Sequence, residues 1–69
     1  MDGRIERVIE DKGFGFLKDS LGTERFFHAS QVQNLPGKFT KAALVNRAVT
    51  FDPDKGPKGD RAVNVRLTD

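Results

Sequence analysis

The sequence predicts an all-β fold, a five-stranded antiparallel Greek-key β-barrel, and three observations carry that prediction. A chain of 69 residues with no cysteine can neither bury a large core nor staple a small one with disulfides, so its stability must come from a compact sheet without open edges. Apolar residues alternate with a period of two in five short stretches, as half-buried strands require. No stretch sustains a 3.6-residue period. The one run of helix formers, Thr40-Lys41-Ala42-Ala43-Leu44-Val45, spans less than two turns and is expected to form a single turn at most.

Gly3 to Glu10 reads as the first strand, with Ile5 inward among charges. Val8 and Ile9 are consecutive, so strict alternation breaks and a bulge or bend is expected near Arg7. Asp11 and Lys12 begin a tight connection into the stretch around which the chain is organised, Lys12-Gly13-Phe14-Gly15-Phe16-Leu17. As a strand it turns Lys12, Phe14, Phe16 and Lys18 to one face and Leu17 to the other. Asp19-Ser20-Leu21-Gly22-Thr23 has the polarity and length of a hairpin loop. In Glu24-Arg25-Phe26-Phe27-His28-Ala29-Ser30, Phe26, His28 and Ser30 share one face, and Phe27 and Ala29 the other. Antiparallel pairing then sets Phe14 and Phe16 beside Phe26 and His28, with Leu17 and Phe27 on the core side.

Pro36-Gly37 is a turn signal in a polar loop that also holds Phe39. Ala48 to Phe51 reads as a fourth strand with Val49 and Phe51 inward. Asp52 to Asp60, with two prolines and two glycines, reads as a turn region. Arg61 to Leu67 is the last strand, expected to point Val63, Val65 and Leu67 inward and Ala62, Asn64 and Arg66 outward. Five short strands with a binding face on the second and third match the OB-type barrel. Residues 1–69 are expected to form one domain.

Two phenylalanines and two lysines on one strand face make an odd surface, since large aromatics are normally core and lysines are normally solvated. Placing Phe14 and Phe16 in the core would drag Lys12 and Lys18 inward, and Phe27, Phe51, Leu17 and the valines already furnish a core for so small a barrel. The face therefore reads as an exposed aromatic platform flanked by cations, which stacks unpaired bases and neutralises phosphates. A net charge of +2 is too small to identify such a surface alone; its placement around the rings matters more. Lys58, between Gly56 and Gly59, is expected to rim the platform. The other basic residues read as solvated surface charges. For Phe39, loop packing and a mobile stacking role both stand.

Other chemistries find little support. His28 is the only histidine and there is no cysteine, and the carboxylates are not grouped as metal ligands would be. Ser30 shares a face with His28, yet no nucleophile-elbow pattern surrounds it. Gly13-x-Gly15 lacks the third glycine and the following helix of a phosphate loop. No enzyme activity, metal or cofactor is expected. Met1 to Arg7 contains no apolar run, so neither a signal peptide nor a membrane span is expected there, and the expected location is cytoplasmic.

Lys12-Gly13-Phe14-Gly15-Phe16-Leu17 resembles the first ribonucleoprotein motif of bacterial cold-shock proteins and of the related cold-shock domains, and Phe26-Phe27-His28 resembles the core of their second motif. The similarity continues through Gly3, Val49-x-Phe51, Lys58-Gly59 and Asn64-Val65, and so covers nearly the whole chain. An RNA-recognition-motif fold shares the Lys-Gly-Phe-Gly-Phe signature but needs two helices that this chain is too short in helix formers to supply.

The resemblance implies a five-stranded barrel that binds single-stranded RNA or DNA with low sequence preference and melts weak RNA structure. Carried over by position, Phe14, Phe16, Phe26 and His28 stack on bases, Lys12 and Lys58 contact backbone or base edges, and Phe39 corresponds to the family's loop aromatic. Arg7 and Lys18 are added to the phosphate-tracking set from their place beside the rings. The implied partner is single-stranded RNA or DNA and not a membrane; a monomer is expected, with a dimer left open.

The departures weaken that platform. The family's strand-one Trp-Phe pair falls on Arg7-Val8, the preceding lysine on Glu6, and the aromatic after the motif-two histidine on Ala29. Losing even two of these three aromatic positions, with nothing in their place, costs about 2 to 6 kcal/mol of binding. An exposed cation-π contact from Arg7 returns only about 0.5 to 1 kcal/mol. Binding weaker than that of a typical member, over a shorter stretch, is expected. The alternative is a protein-interaction module on a degenerate cold-shock scaffold.

Overall fold

The computed structural model describes every residue except Pro36, Lys58 and Asp69. Five strands, β1 (Asp2–Ile9), β2 (Phe14–Asp19), β3 (Glu24–His28), β4 (Ala48–Gly56) and β5 (Gly59–Leu67), close into a barrel in the order β1-β2-β3-β5-β4. The all-β class predicted from the alternation is the one found. Neighbouring strands are antiparallel except at the seam between β3 and β5, a parallel contact with the single register pair Phe26 and Arg61. One short helix, α1 (Lys41–Leu44), and two 3-10 turns, Glu10–Lys12 and Ala29–Gln31, complete the described elements.

The break in alternation in β1 is a bulge. Ile5 pairs with Leu17 and Arg7 with Phe16, so the β2 register advances by one while β1 advances by two. Ile5 and Val8 are both buried and the two residues between them, Glu6 and Arg7, are both exposed. The bulge thus keeps two apolar residues inside and turns Arg7 onto the outer face.

The core is formed by Ile5, Val8, Leu17, Phe27, Leu44, Val49, Phe51 and Val65, with Val32 and Ala62. Gly15 lies inside this sheet opposite Phe27. A Cβ built there would stand 2.5 Å from the Arg7 carbonyl oxygen and 3.0 Å from Phe27 Cζ. The space that Gly15 leaves without a side chain is therefore the one that the Phe27 ring fills.

The last third of the chain corrects two expectations. Asp52 to Asp60 is mostly strand rather than turn. β4 continues to Gly56, Pro53 pairs with Ala62, and the hairpin runs to the pair Gly56 and Gly59. Beyond Thr50, β4 has β5 as its only strand partner among the described residues, and a proline is tolerated on such an edge because no second ladder needs its N–H.

The inward face of β5 also changes partway along. Ala62 and Val65 are buried, whereas Val63 and Leu67 are half-buried. Asn64 has a positive φ of 52°, and the register passes from Thr50–Arg66 to Asp52–Val63, so Phe51 faces two residues. The bulge at Asn64, a residue type that tolerates the left-handed region, inverts the alternation predicted for Ala62 and Val63.

Candidate nucleic-acid interface

The β2–β3 ladder builds the aromatic face that alternation predicts. Phe14 pairs with His28 and Phe16 with Phe26 across the hairpin. Phe14, Phe16 and Phe26 are half-buried and His28 is exposed, while Leu17 and Phe27, on the opposite side, are fully buried. The three outer rings touch one another: the centroids of Phe14 and Phe26 are 5.2 Å apart, those of Phe14 and Phe16 5.9 Å, and those of Phe16 and Phe26 6.1 Å. The planes of Phe14 and Phe16 cross at 88°. Two bases stacked face to face on these rings therefore cannot lie parallel to each other.

His28 is oriented from below. Its Nδ1 accepts the Ser30 backbone N–H at 3.1 Å and lies 2.9 Å from Ser30 Oγ. The amide donation requires a lone pair on Nδ1, so the neutral ring carries its proton on Nε2. Ser30, unsupported as a nucleophile in the sequence, acts instead as the support of this ring. Ala29 opens the 3-10 turn after β3 and its N–H bonds the Gly13 carbonyl at 2.8 Å, tying the end of β3 to the start of β2.

The charges around the rings are less uniform than the sequence implies. Lys12 is exposed and ends the 3-10 turn two residues before Phe14, not the strand itself. Gly13, with φ 71°, provides the left-handed residue that joins that turn to β2. Lys18 Nζ is 3.3 Å from Glu6 Oε1, with both side chains close to half exposed. Arg7 lies over Phe16, its Cζ 4.8 Å from the ring centroid. Arg25, by contrast, is turned to structure: it pairs with the buried Asp19 and sits 5.7 Å from the Phe51 centroid.

Two further residues from the sequence lie apart or out of view. Phe39 is half-buried and packs edge to face on Phe27, with centroids 6.0 Å apart; its observed contact is with the core ring rather than with the outer three. Lys58 lies outside the described residues. Val8, at the position of the family's second strand-one aromatic, is buried and adds nothing to the surface.

The Glu6 partner of Lys18 is the feature of this face that sequence reasoning missed. Its only signal was an acid where a base is expected, and the pairing depends on the bulge that leaves Glu6 exposed next to Arg7. The loop carrying Phe39 is also tethered here: the Lys41 N–H donates to Glu10 Oε2 at 2.8 Å and the Ala43 N–H to Thr40 Oγ1 at 3.3 Å, so two side chains cap the N-terminus of α1. Among the described residues no cluster of three metal-ligating side chains occurs, and no helix is long and apolar enough to cross a membrane.

Comparison with known proteins agrees with this geometry. Residues 1–68 match the family model of the 'Cold-shock' DNA-binding domain. Cold shock protein 2 of Lactiplantibacillus plantarum is 34% identical, with 94% of each chain covered. The cold shock-like protein CspB of Escherichia coli is 36% identical over all of this chain and 94% of its own length. The cold shock-like protein CspA of Shewanella violacea is 38% identical over 91% of this chain and 87% of its own. With the motifs, the strand order and the outer rings in agreement, the chain belongs to the 'Cold-shock' DNA-binding domain family.

Proposed function

We propose that this chain is a non-catalytic binder of single-stranded RNA or DNA with low sequence preference, acting as a cytoplasmic monomer that melts weak RNA structure. The observation that carries the reading is the set of three phenylalanine rings on the outside of β2 and β3, in mutual contact yet only half-buried. A solvated aromatic cluster of this kind costs hydration free energy unless a flat partner covers it. Phe14, Phe16, Phe26 and His28 stack on unpaired bases, and Lys12, Arg7, Lys18 and Lys58 follow the phosphates. Phe39 joins them only by leaving Phe27.

Duplex is disfavoured because its bases hide their faces in the stack. Binding only the open strand draws weak hairpins toward melting by mass action, without ATP. Chemical-shift mapping with heptathymidine tests the reading: Phe14, Phe16, Phe26 and His28 are expected to shift together. Shifts confined to other faces of the barrel, or none at low salt, reject it. Nanomolar affinity at physiological salt rejects the expectation of weak binding.

The Glu6–Lys18 pair favours one second reading, a protein-interaction surface, because it removes net charge from the edge of the platform. Salt separates the two. Single-strand binding weakens with a log-log slope near −0.7 per phosphate neutralised, which a protein partner need not follow.

A further inference from the structure

Arg7 stands where the structure leaves a planar cation at ring height. The β1 bulge turns it outward opposite Phe16, and its Cζ rests 4.8 Å from the Phe16 centroid. Glu6, exposed beside it, is already engaged by Lys18. Among the described residues no carboxylate is within ion-pair distance of Arg7. Its side-chain donors therefore have no partner among the described residues, and contact with the Phe16 ring holds them low on the platform.

A guanidinium in that position directs its N–H groups toward the edges of neighbouring bases, whereas the phosphates of a strand whose bases lie on the rings pass outside them. The base edge that matches the fork carries two adjacent acceptors with no donor between. Guanine has such an edge in O6 and N7, and cytosine in O2 and N3. Adenine places its amino group beside N1 and N7, and thymine and uracil interpose the N3 proton between their carbonyls.

We propose that Arg7, grouped above with the phosphate-following cations for its charge, instead reads a base and favours cytosine or guanine at the nucleotide beside Phe16. The inference rests on the single-strand reading above and adds to it a preference that an aromatic side chain at this position would not supply by this means. A ring offers its face to every base, while a guanidinium fork distinguishes their edges.

Neither tryptophan nor tyrosine is present, so binding is followed by the anisotropy of labelled heptathymidine displaced by unlabelled heptamers. Each competitor carries one cytosine, guanine or adenine in place of thymine, at each position in turn. At one position cytosine or guanine is expected to compete about fivefold or more better than thymine and adenine, the low end of the discrimination of a bidentate contact. Arg7→Met keeps an unbranched side chain against Phe16 and removes every donor, and is expected to level the four bases there; circular dichroism confirms that the variant is folded.

A guanine preference matched by adenine reports stacking and overturns the proposal. So does a preference that survives Arg7→Met, or the absence of any cytosine or guanine preference while heptathymidine binds. Failure of heptathymidine to bind even at low salt is a different result. It removes the single-strand reading, and this inference with it.

Discussion

Arg25 Nε donates to Asp19 Oδ2 at 3.0 Å, joining the end of β2 to the start of β3 across their loop through a carboxylate with no solvent exposure. The other oxygen, Oδ1, accepts the Leu21 and Thr23 amides at 2.9 Å each, so the loop is wrapped around one negative charge. The Thr23 amide is the largest cause that holds Asp19 below its ordinary 3.8; burial opposes it, and Arg25 and Leu21 add to it. A carboxyl held low in the folded state stabilises the fold fully above its unfolded value, and that contribution is lost as pH falls through the lowered folded value. Asp54, held low chiefly by its hydrogen bond from Arg61, acts with the same sign.

The first prediction follows from that sign. The urea midpoint falls on acidification below pH 3.8, and Asp19→Asn lowers the midpoint at neutral pH and makes the acid limb shallower. Denaturation curves from pH 7 to pH 2 measure both. A variant whose acid limb is as steep as that of the parent protein excludes Asp19 as a principal titrating group.

Adjacent residues on β3 separate binding from folding. Phe26→Ala removes an outer ring and is expected to weaken single-strand binding by about 1 to 3 kcal/mol with the barrel intact. Phe27→Ala empties the centre of the core, where Phe27 is 0% exposed, and is expected to cost about 3 to 5 kcal/mol of stability, enough to unfold much of so small a domain. Anisotropy titration and thermal melting of the pair distinguish the effects; equal melting losses would show that the outer ring is structural.

Glu6→Gln releases Lys18 from its 3.3 Å pairing. An exposed ion pair contributes about 0 to 1 kcal/mol, so melting should change little. Binding to heptathymidine should tighten and its log-log salt slope steepen by about 0.7, one further phosphate neutralised. A slope unchanged in the variant would place Lys18 off the path of the strand.

Gly15→Ala puts a methyl group into the 2.5 Å and 3.0 Å contacts with the Arg7 carbonyl and the Phe27 ring. The β1–β2 ladder or the ring must shift, at a cost of about 1 to 3 kcal/mol. Urea denaturation reads it, and stability equal to that of the parent would mean that the sheet yields there without strain.

Period-two reasoning located β2 and β3 well because their side chains obey it without interruption from Phe14 to His28 apart from the loop. It located the β1 bulge because Val8 and Ile9 are adjacent. It failed at Ala62 and Val63, where the deciding fact is the left-handed backbone of Asn64, a conformation that no apolar pattern announces. It failed again at Pro53, since prolines and glycines mark turns and exposed strand edges alike, and only the end of β1–β4 pairing at Thr50 separates the two. At the interface, ring positions followed from alternation alone. The contacts of Arg7 with Phe16 and of Lys18 with Glu6 depend on how a bulge aims two neighbouring side chains, which becomes visible only once the strands are paired.

If single strands stack on these rings as proposed, the right angle between the Phe14 and Phe16 planes selects among ligands by their stiffness. A nucleic acid whose neighbouring bases prefer to remain piled on each other, as adenine runs do, must give up that order to seat one base on each ring. Pyrimidine tracts surrender little by turning sharply between adjacent nucleotides. On that reading the crossed rings act as a mechanical filter before any hydrogen bond is read, admitting pliant strands more readily than self-ordered ones.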